Sequence, residues 1–277
     1  MDYLKPAEVM ASMIETGTRK GGLAVRDLLV RGALSGGILG IATTLAITAA
    51  VQTGVPLVGA IIFPVGFVMI VLLGLELVTG SFALLPLASL EGKSRWGAVI
   101  SNWSWVFLGN LLGSILFGGL LAIALTNMGT AAPTGVAARI IAVAEAKTVA
   151  NEALGTAGMI SVFVKAILCN WMVCRGVVMG LVAQSTLSKI VAAWLPITIF
   201  FGLGYEHAVV NMFVVPAGML FGAKTTVGAW WLWNQVPVTL GNLVGGFVFT
   251  GFALYVTYRV RDARAEPALQ GTPVHSS

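Results

Sequence analysis

The residues best equipped for chemistry in this chain are Glu76, Glu206 and His207, and all three stand in strongly apolar surroundings. Glu76 lies within GLELVTG at 74–80, and the other two within GYEHAVVN at 204–211. A carboxylate inside about 30 Å of hydrocarbon is costly, so an ionisable group there either has a partner in the protein or serves function. The glycine preceding each glutamate marks an interrupted helix. Interruptions in corresponding places of two halves offer unsatisfied backbone groups to a ligand near mid-membrane. The chemistry to expect is recognition of a small solute along a pore. No catalytic dyad can be assembled, so the chain does not read as an enzyme and no catalytic residue is assigned.

His207 is the only histidine in the apolar region. A histidine titrates near physiological pH, so it can hold an anion as imidazolium or hand it a proton; it can equally bridge helices through hydrogen bonds. No second His, Cys or carboxylate is suitably spaced beside it, so neither a metal nor a cofactor is expected. Cys169 and Cys174 fall on different faces of one apolar segment and read as buried small side chains.

These residues must be positioned by membrane helices. Of 277 residues 57% are hydrophobic and 10% charged, with 34 glycines, a composition that implies an integral, multi-pass membrane protein and no nucleic-acid partner. Six stretches are apolar for the roughly 20 residues a crossing needs: 29–51, 56–90, 97–125, 157–184, 190–221 and 229–258. The second and fifth would each run about 50 Å as straight helices, so each is read as two half-helices joined by a loop.

Lys5, Arg19, Lys20, Arg26, Lys93, Arg95, Lys189, Arg259, Arg261 and Arg264 gather on one side of these spans, against Arg139, Lys147 and Lys224 on the other. The positive-inside rule then puts both termini in the cytoplasm or its organellar equivalent. Residues 1–26 lack an uninterrupted apolar core and read as an amphipathic segment lying on the membrane surface. The transport domain covers 27–259, and residues 260–277, including His275, read as a disordered tail.

The halves repeat, about 27–125 against 157–259. LGNLLGSILFGGL from Leu108 returns as LGNLVGGFVFTGF from Leu240, and Glu76 returns as Glu206. Units of three crossings start on opposite sides, so the copies must be inverted. Their glycines permit close helix approach, with Asn110 and Asn242 bridging helices by hydrogen bonds. The expected fold is therefore all-α, with six transmembrane helices in two inverted three-helix repeats, the second and fifth broken.

ELVTGSF (76–82), NWSWVFLGNLLG (102–113), CNWMVC (169–174), GYEHAVVNMFVVPAG (204–218) and PVTLGNLVGG (237–246) together resemble the formate/nitrite transporter family. The resemblance implies a homopentamer in a lipid bilayer, each protomer holding an aquaporin-like pore for a small monovalent anion such as nitrite or formate. The membrane is a plasma (inner) membrane or an organelle envelope, and bicarbonate is the alternative substrate. The resemblance assigns His207 to the pore centre and Thr79 to the hydroxyl facing it, although a local loop hydrogen bond is the other use for a threonine there. Asn170 and Asn211 match positions near the histidine, where they orient its ring or bridge helices. Phe63, Leu77 and Phe200 match the residues that narrow the pore above and below it. An anion passing them must shed water, a cost that protonation lowers, so passage is expected to be proton-linked. Lys147 resembles a lysine that concentrates anions at the outer vestibule. Extra residues around ANEALGT leave Lys165 as a competitor, and for Arg175 a buried pair with a glutamate and a pore-lining role are both open. Glu76 and Glu206 are expected to stabilise their loops, by accepting N–H groups or pairing with a buried cation. An aquaporin-type channel for neutral solutes would need paired Asn-Pro-Ala loops, which are absent.

Overall fold

The computed structural model describes residues 3–259; the expected disordered tail, 260–277, with Arg261, Arg264 and His275, lies outside the described residues. The described chain is all-helical apart from an isolated bridge between Tyr3 and Ala183. Its helices are α1 (Pro6–Gly21), α2 (Val25–Thr53), α3 (Pro56–Leu72), α4 (Val78–Leu90), α5 (Trp96–Thr126), α6 (Val136–Lys147), α7 (Val149–Ala153), α8 (Gly155–Val182), α9 (Thr186–Gly202), α10 (Ala208–Phe221) and α11 (Val227–Tyr258).

Among the described residues, α2, α5, α8 and α11 are the helices long and apolar enough to cross a membrane. The four shorter apolar helices follow one another in two pairs, α3 with α4 and α9 with α10, each pair separated by a few non-helical residues. Small residues set the closest approaches. On α5, a Cβ at Gly113 would strike the carbonyl of Ala33 on α2, and on α11 one at Gly245 would strike that of Ile167 on α8. Helix pairs in a bilayer gain stability from such backbone proximity, because lipid tails are as apolar as leucine. Between these pairs lies a core that includes Leu39, Phe63, Phe67, Val173, Ile197 and Phe213.

Two features add to the sequence expectation. The apolar stripe of α1, Val9, Met10, Met13, Ile14 and Gly17, is buried against Leu84, Leu87, Val178 and Tyr255, so this face of the helix packs on protein. The last helix contains two stretches of wider π turns, Trp231–Gln235 and Phe247–Phe252. Pro237 has no N–H and its ring crowds the preceding turn, which accounts for the first of them. The wider turn carries Asn234 and Gln235, both fully buried, toward the start of α10.

Candidate functional site

Both interruptions are built alike. Gly74 and Gly204 follow the ends of α3 and α9 with φ of +62° and +66°, a left-handed geometry that glycine adopts without steric cost. The N–H of Leu75 reaches back to the carbonyl of Ile70 at 3.0 Å, and that of Tyr205 to Phe200 at 3.1 Å. The chain then runs extended into Leu77 and His207, the N-caps of α4 and α10. Asn110 on α5 clamps the first turn. Its Oδ1 accepts the Val78 N–H at 3.0 Å, and its Nδ2 donates to the carbonyls of Gly32 (2.8 Å) and Glu76 (3.0 Å). Asn242 on α11 does the same at the second: Oδ1 accepts from Ala208 N (2.9 Å), and Nδ2 donates to Ala166 (2.8 Å) and Glu206 (2.9 Å). Each asparagine satisfies one of the orphan N–H groups of a helix start buried away from water. Sequence spacing alone assigned them to helix bridging; their bonds to the loop backbone make them the clamps of the interruptions.

The two helix starts meet at His207. Its Nδ1 accepts the N–H of Val210 at 3.2 Å, so in the neutral ring the proton resides on Nε2 and is donated to Thr79 Oγ1, 3.1 Å away. Thr79 therefore accepts from the ring and keeps its own hydroxyl proton for another acceptor. A second proton on the ring, at Nδ1, would displace the Val210 cap. The ring of Phe200 stacks on the imidazole, with centroids 5.5 Å apart and planes 20° apart. Asn170 does not bond the ring. It donates to the carbonyls of Thr79 (3.0 Å) and Asn242 (2.6 Å), fixing the threonine backbone and linking it to the clamp of the other loop. Asn211 does not bond the ring either, and donates to Glu206 Oε2 at 2.8 Å. Orientation of the imidazole comes instead from Val210, Thr79 and Phe200.

Each buried glutamate has a lysine. Lys20, at the end of α1, donates to both oxygens of Glu76 at 2.8 Å; Lys147, at the end of α6, donates to Glu206 Oε2 at 2.7 Å. Asn234 adds a longer contact to that oxygen at 3.3 Å. A buried carboxylate left alone would be heavily penalised and would repel an anion, and pairing removes both problems. Lys147 is thus committed to Glu206, whereas sequence matching had it acting on anions in the vestibule. Lys20, which the sequence marked only as a topological charge, is its counterpart. Lys165 is exposed on α8 and makes no ion pair among the described residues. Among the described residues Arg175 pairs with no glutamate, and it lines a separate cavity with Tyr3, Leu4 and Tyr258.

One cavity is lined by the first loop and another by the second. The one beside α1, about 600 Å³, is lined by Lys20, Arg31, Glu76, Leu77 and Gly80 among others. The one beside α6, about 310 Å³, is lined by Arg139, Lys147, Phe200, Tyr205 and His207 among others. The two share no lining residue; Leu77 lines the first and Phe200 the second, and both are buried, as is Thr79 at its contact with His207. Phe63 lines neither cavity; it packs edge-on against Phe200 with centroids 5.7 Å apart and backs it up from behind. Cys169 and Cys174 are buried free thiols, and Cys174 donates to the Thr79 carbonyl at 3.3 Å. Among the described residues no three His, Cys, Asp or Glu side chains gather as a metal site requires.

Comparison with known proteins places this geometry. The family model described as formate/nitrite transporter matches residues 7–256. The chain is 34% identical to an uncharacterised transporter of Bacillus subtilis (strain 168), over 95% of this chain and 96% of the relative. It is 30% identical to a formate channel of Bacillus thuringiensis, over 94% and 97%. Among solved structures, a pentameric formate channel with formate bound superposes with a TM-score of 0.68 at 25% identity, covering 84% of this chain and 97% of that one.

Proposed function

The chain belongs to the formate/nitrite transporter family, and on that premise we propose that it conducts formate, nitrite and similar weak-acid anions, one pore in each protomer of a homopentamer. In this reading α3 with α4, and α9 with α10, each make one interrupted crossing, giving six in two inverted repeats. The matching clamps of Asn110 and Asn242 and the matching pairs Lys20–Glu76 and Lys147–Glu206 support the repeat. They extend it to include α1 and α6, so that each copy begins with its own amphipathic helix. The excess of Lys and Arg beside α1 supports placing that side and both termini in the cytoplasm.

The observation that carries the reading is the Thr79–His207 contact, set between two helix N-termini with a cavity lined by each loop. Helix starts present partial positive charge and N–H groups. Those of Thr79 and Gly80 find no acceptor in the hydrogen-bond pattern, so an anion arriving at the centre meets donors without having to break existing bonds. The glutamates beside the path are neutralised in advance by their lysines. Leu77 and Phe200 exclude water at the centre, which makes the bare anion costly and favours its passage as the neutral acid or together with a proton. His207 and the hydroxyl of Thr79 are the groups in reach of that proton. Formate, nitrite, bicarbonate and chloride fluxes into proteoliposomes across a pH series test this. Formate and nitrite flux rising as pH falls, with chloride slow throughout, is the expected pattern; chloride flux equal to that of formate at every pH would refute it.

A further inference from the structure

The two mouths differ in their charge. The wider cavity, beside α1, is lined by Arg19, Lys20, Arg31 and Lys189, with Glu76 its single carboxylate. Lys20 and Glu76 neutralise each other. Arg19, Arg31 and Lys189 make no ion pair among the described residues, so the opening retains three surplus cations, contributed by three separate elements: α1, α2 and the start of α9. The narrower mouth, beside α6, has one surplus cation, Arg139, because Lys147 is held by Glu206.

A cationic mouth also draws in a monovalent anion of three heavy atoms, but such an anion fills only a small part of this volume. A cavity of about 600 Å³ is of the size that encloses a drug-sized ligand, roughly 300–1,000 Å³. Two of its three surplus cations are arginines, whose planar guanidinium forks match phosphate and carboxylate groups with two parallel hydrogen bonds. Arg31 stands on the face of α2 that carries the buried Leu28 and Ser35, which directs it to the cavity wall instead of to lipid. At the inner end the cavity narrows to buried Leu77, which a bulky polyanion cannot pass.

We infer that the mouth beside α1 is a binding site for a multivalent oxyanion, a small molecule carrying two or more phosphate or carboxylate groups. Seated over Leu77, it blocks the pore from that side only. The blocking effect rests on the pore reading above, whereas the binding does not, and the two are measured separately. Calorimetric titration of the detergent-solubilised oligomer with inorganic pyrophosphate and with citrate, at low ionic strength, should give saturable binding. The tighter of the two identifies phosphate or carboxylate as the preferred group. Arg31→Gln should weaken that binding about tenfold, as expected for loss of one charge-assisted hydrogen bond. Arg31→Lys, which keeps the charge, should recover part of it. The Arg19→Gln/Lys189→Gln double variant should weaken binding further, and Arg139→Gln should leave it unchanged, with intact oligomers shown for every variant by size exclusion. In vesicles of known protein orientation, pyrophosphate on the α1 side should stop formate flux, and on the other side should not. Absence of saturable binding for both anions, binding unaffected by Arg31→Gln, or block that is equal from both sides or matched by sodium chloride of the same ionic strength would overturn the inference. A protein that binds pyrophosphate yet conducts no anion would sustain the site and refute the pore.

Discussion

Replacing His207 first by asparagine and then by alanine separates its two structural roles from its role in the path. The ring accepts the Val210 N–H at 3.2 Å, capping α10, and meets Thr79 Oγ1 at 3.1 Å. Asparagine is among the best N-cap residues and keeps the first interaction, whereas alanine keeps neither. Loss of the cap costs about 1 kcal/mol, and loss of the buried bond to Thr79 about another 1 kcal/mol. Alanine also leaves a void beneath Phe200, which adds to its penalty. The asparagine variant should therefore lose about 1 kcal/mol of stability and the alanine variant about 3 kcal/mol. Both are read from thermal unfolding of the solubilised oligomer. Flux is a different matter: in both variants the anion loses the ring, and formate uptake into proteoliposomes should fall at least about tenfold, equivalent to roughly 1.4 kcal/mol on the barrier, with its pH dependence flattened. An asparagine variant that assembles and conducts with unchanged rate and pH profile would refute the central position of this residue. Equal stability of the two variants would refute the capping role while leaving the pore role standing.

The Lys147–Glu206 pair should behave as a unit. Lys147→Gln and Glu206→Gln should each destabilise the protein, and the double variant should be less destabilised than the sum, with a coupling of about 1–3 kcal/mol from the cycle; additive effects would show that the 2.7 Å contact contributes nothing. Phe200→Ala and Leu77→Ala, once shown to assemble, should raise chloride flux by a larger factor than formate flux, because water then accompanies the ion; equal factors for both anions would remove these side chains from selectivity. Gly113→Ala should lower the unfolding temperature of the oligomer, as overpacking typically costs about 1–3 kcal/mol, whereas Gly119→Ala, where a Cβ would meet no neighbouring atom, should have no such effect.

How far the chain could be read in advance depended on whether a feature is local. Apolar length and interruption are properties of short windows, and the glycines and glutamates at 74–80 and 204–211 mark both loops without reference to anything distant. Partners are not local. Lys20 is 56 residues from Glu76 and Lys147 is 59 from Glu206, so nothing in either window names the cation. For Asn170 and Asn211 the sequence left ring orientation and helix bridging both open, and they bond backbone and carboxylate, because the direction of a buried amide is set by which acceptors the packing leaves unsatisfied. What the apolar face of α1 packs against was not legible for a related reason. Its apolar stripe is the same whether it meets lipid or protein, and only the packed position of Leu84 and Tyr255 decides between them.

On the proposed reading, the repeat separates scaffold from path. In the alignment that pairs the two loops, Gly74 corresponds to Gly204, Glu76 to Glu206, Asn110 to Asn242 and Lys20 to Lys147, and these residues make the same bonds in both copies. Where the copies differ, the side chains gather at the centre: Leu77 stands opposite His207 in the alignment, Thr79 opposite Val209, and Ile70 opposite Phe200. A symmetric frame alone would present two identical N-caps to the anion. Two leucines would offer it no proton-handling group. With one copy supplying the imidazole and the other the hydroxyl, the contact of 3.1 Å closes across the interface of the repeats. It follows that substitutions at matched positions should act mainly on assembly and stability, and those at mismatched positions mainly on rate and selectivity. On this reading, function sits at the positions that differ, because the frame around them is over-determined.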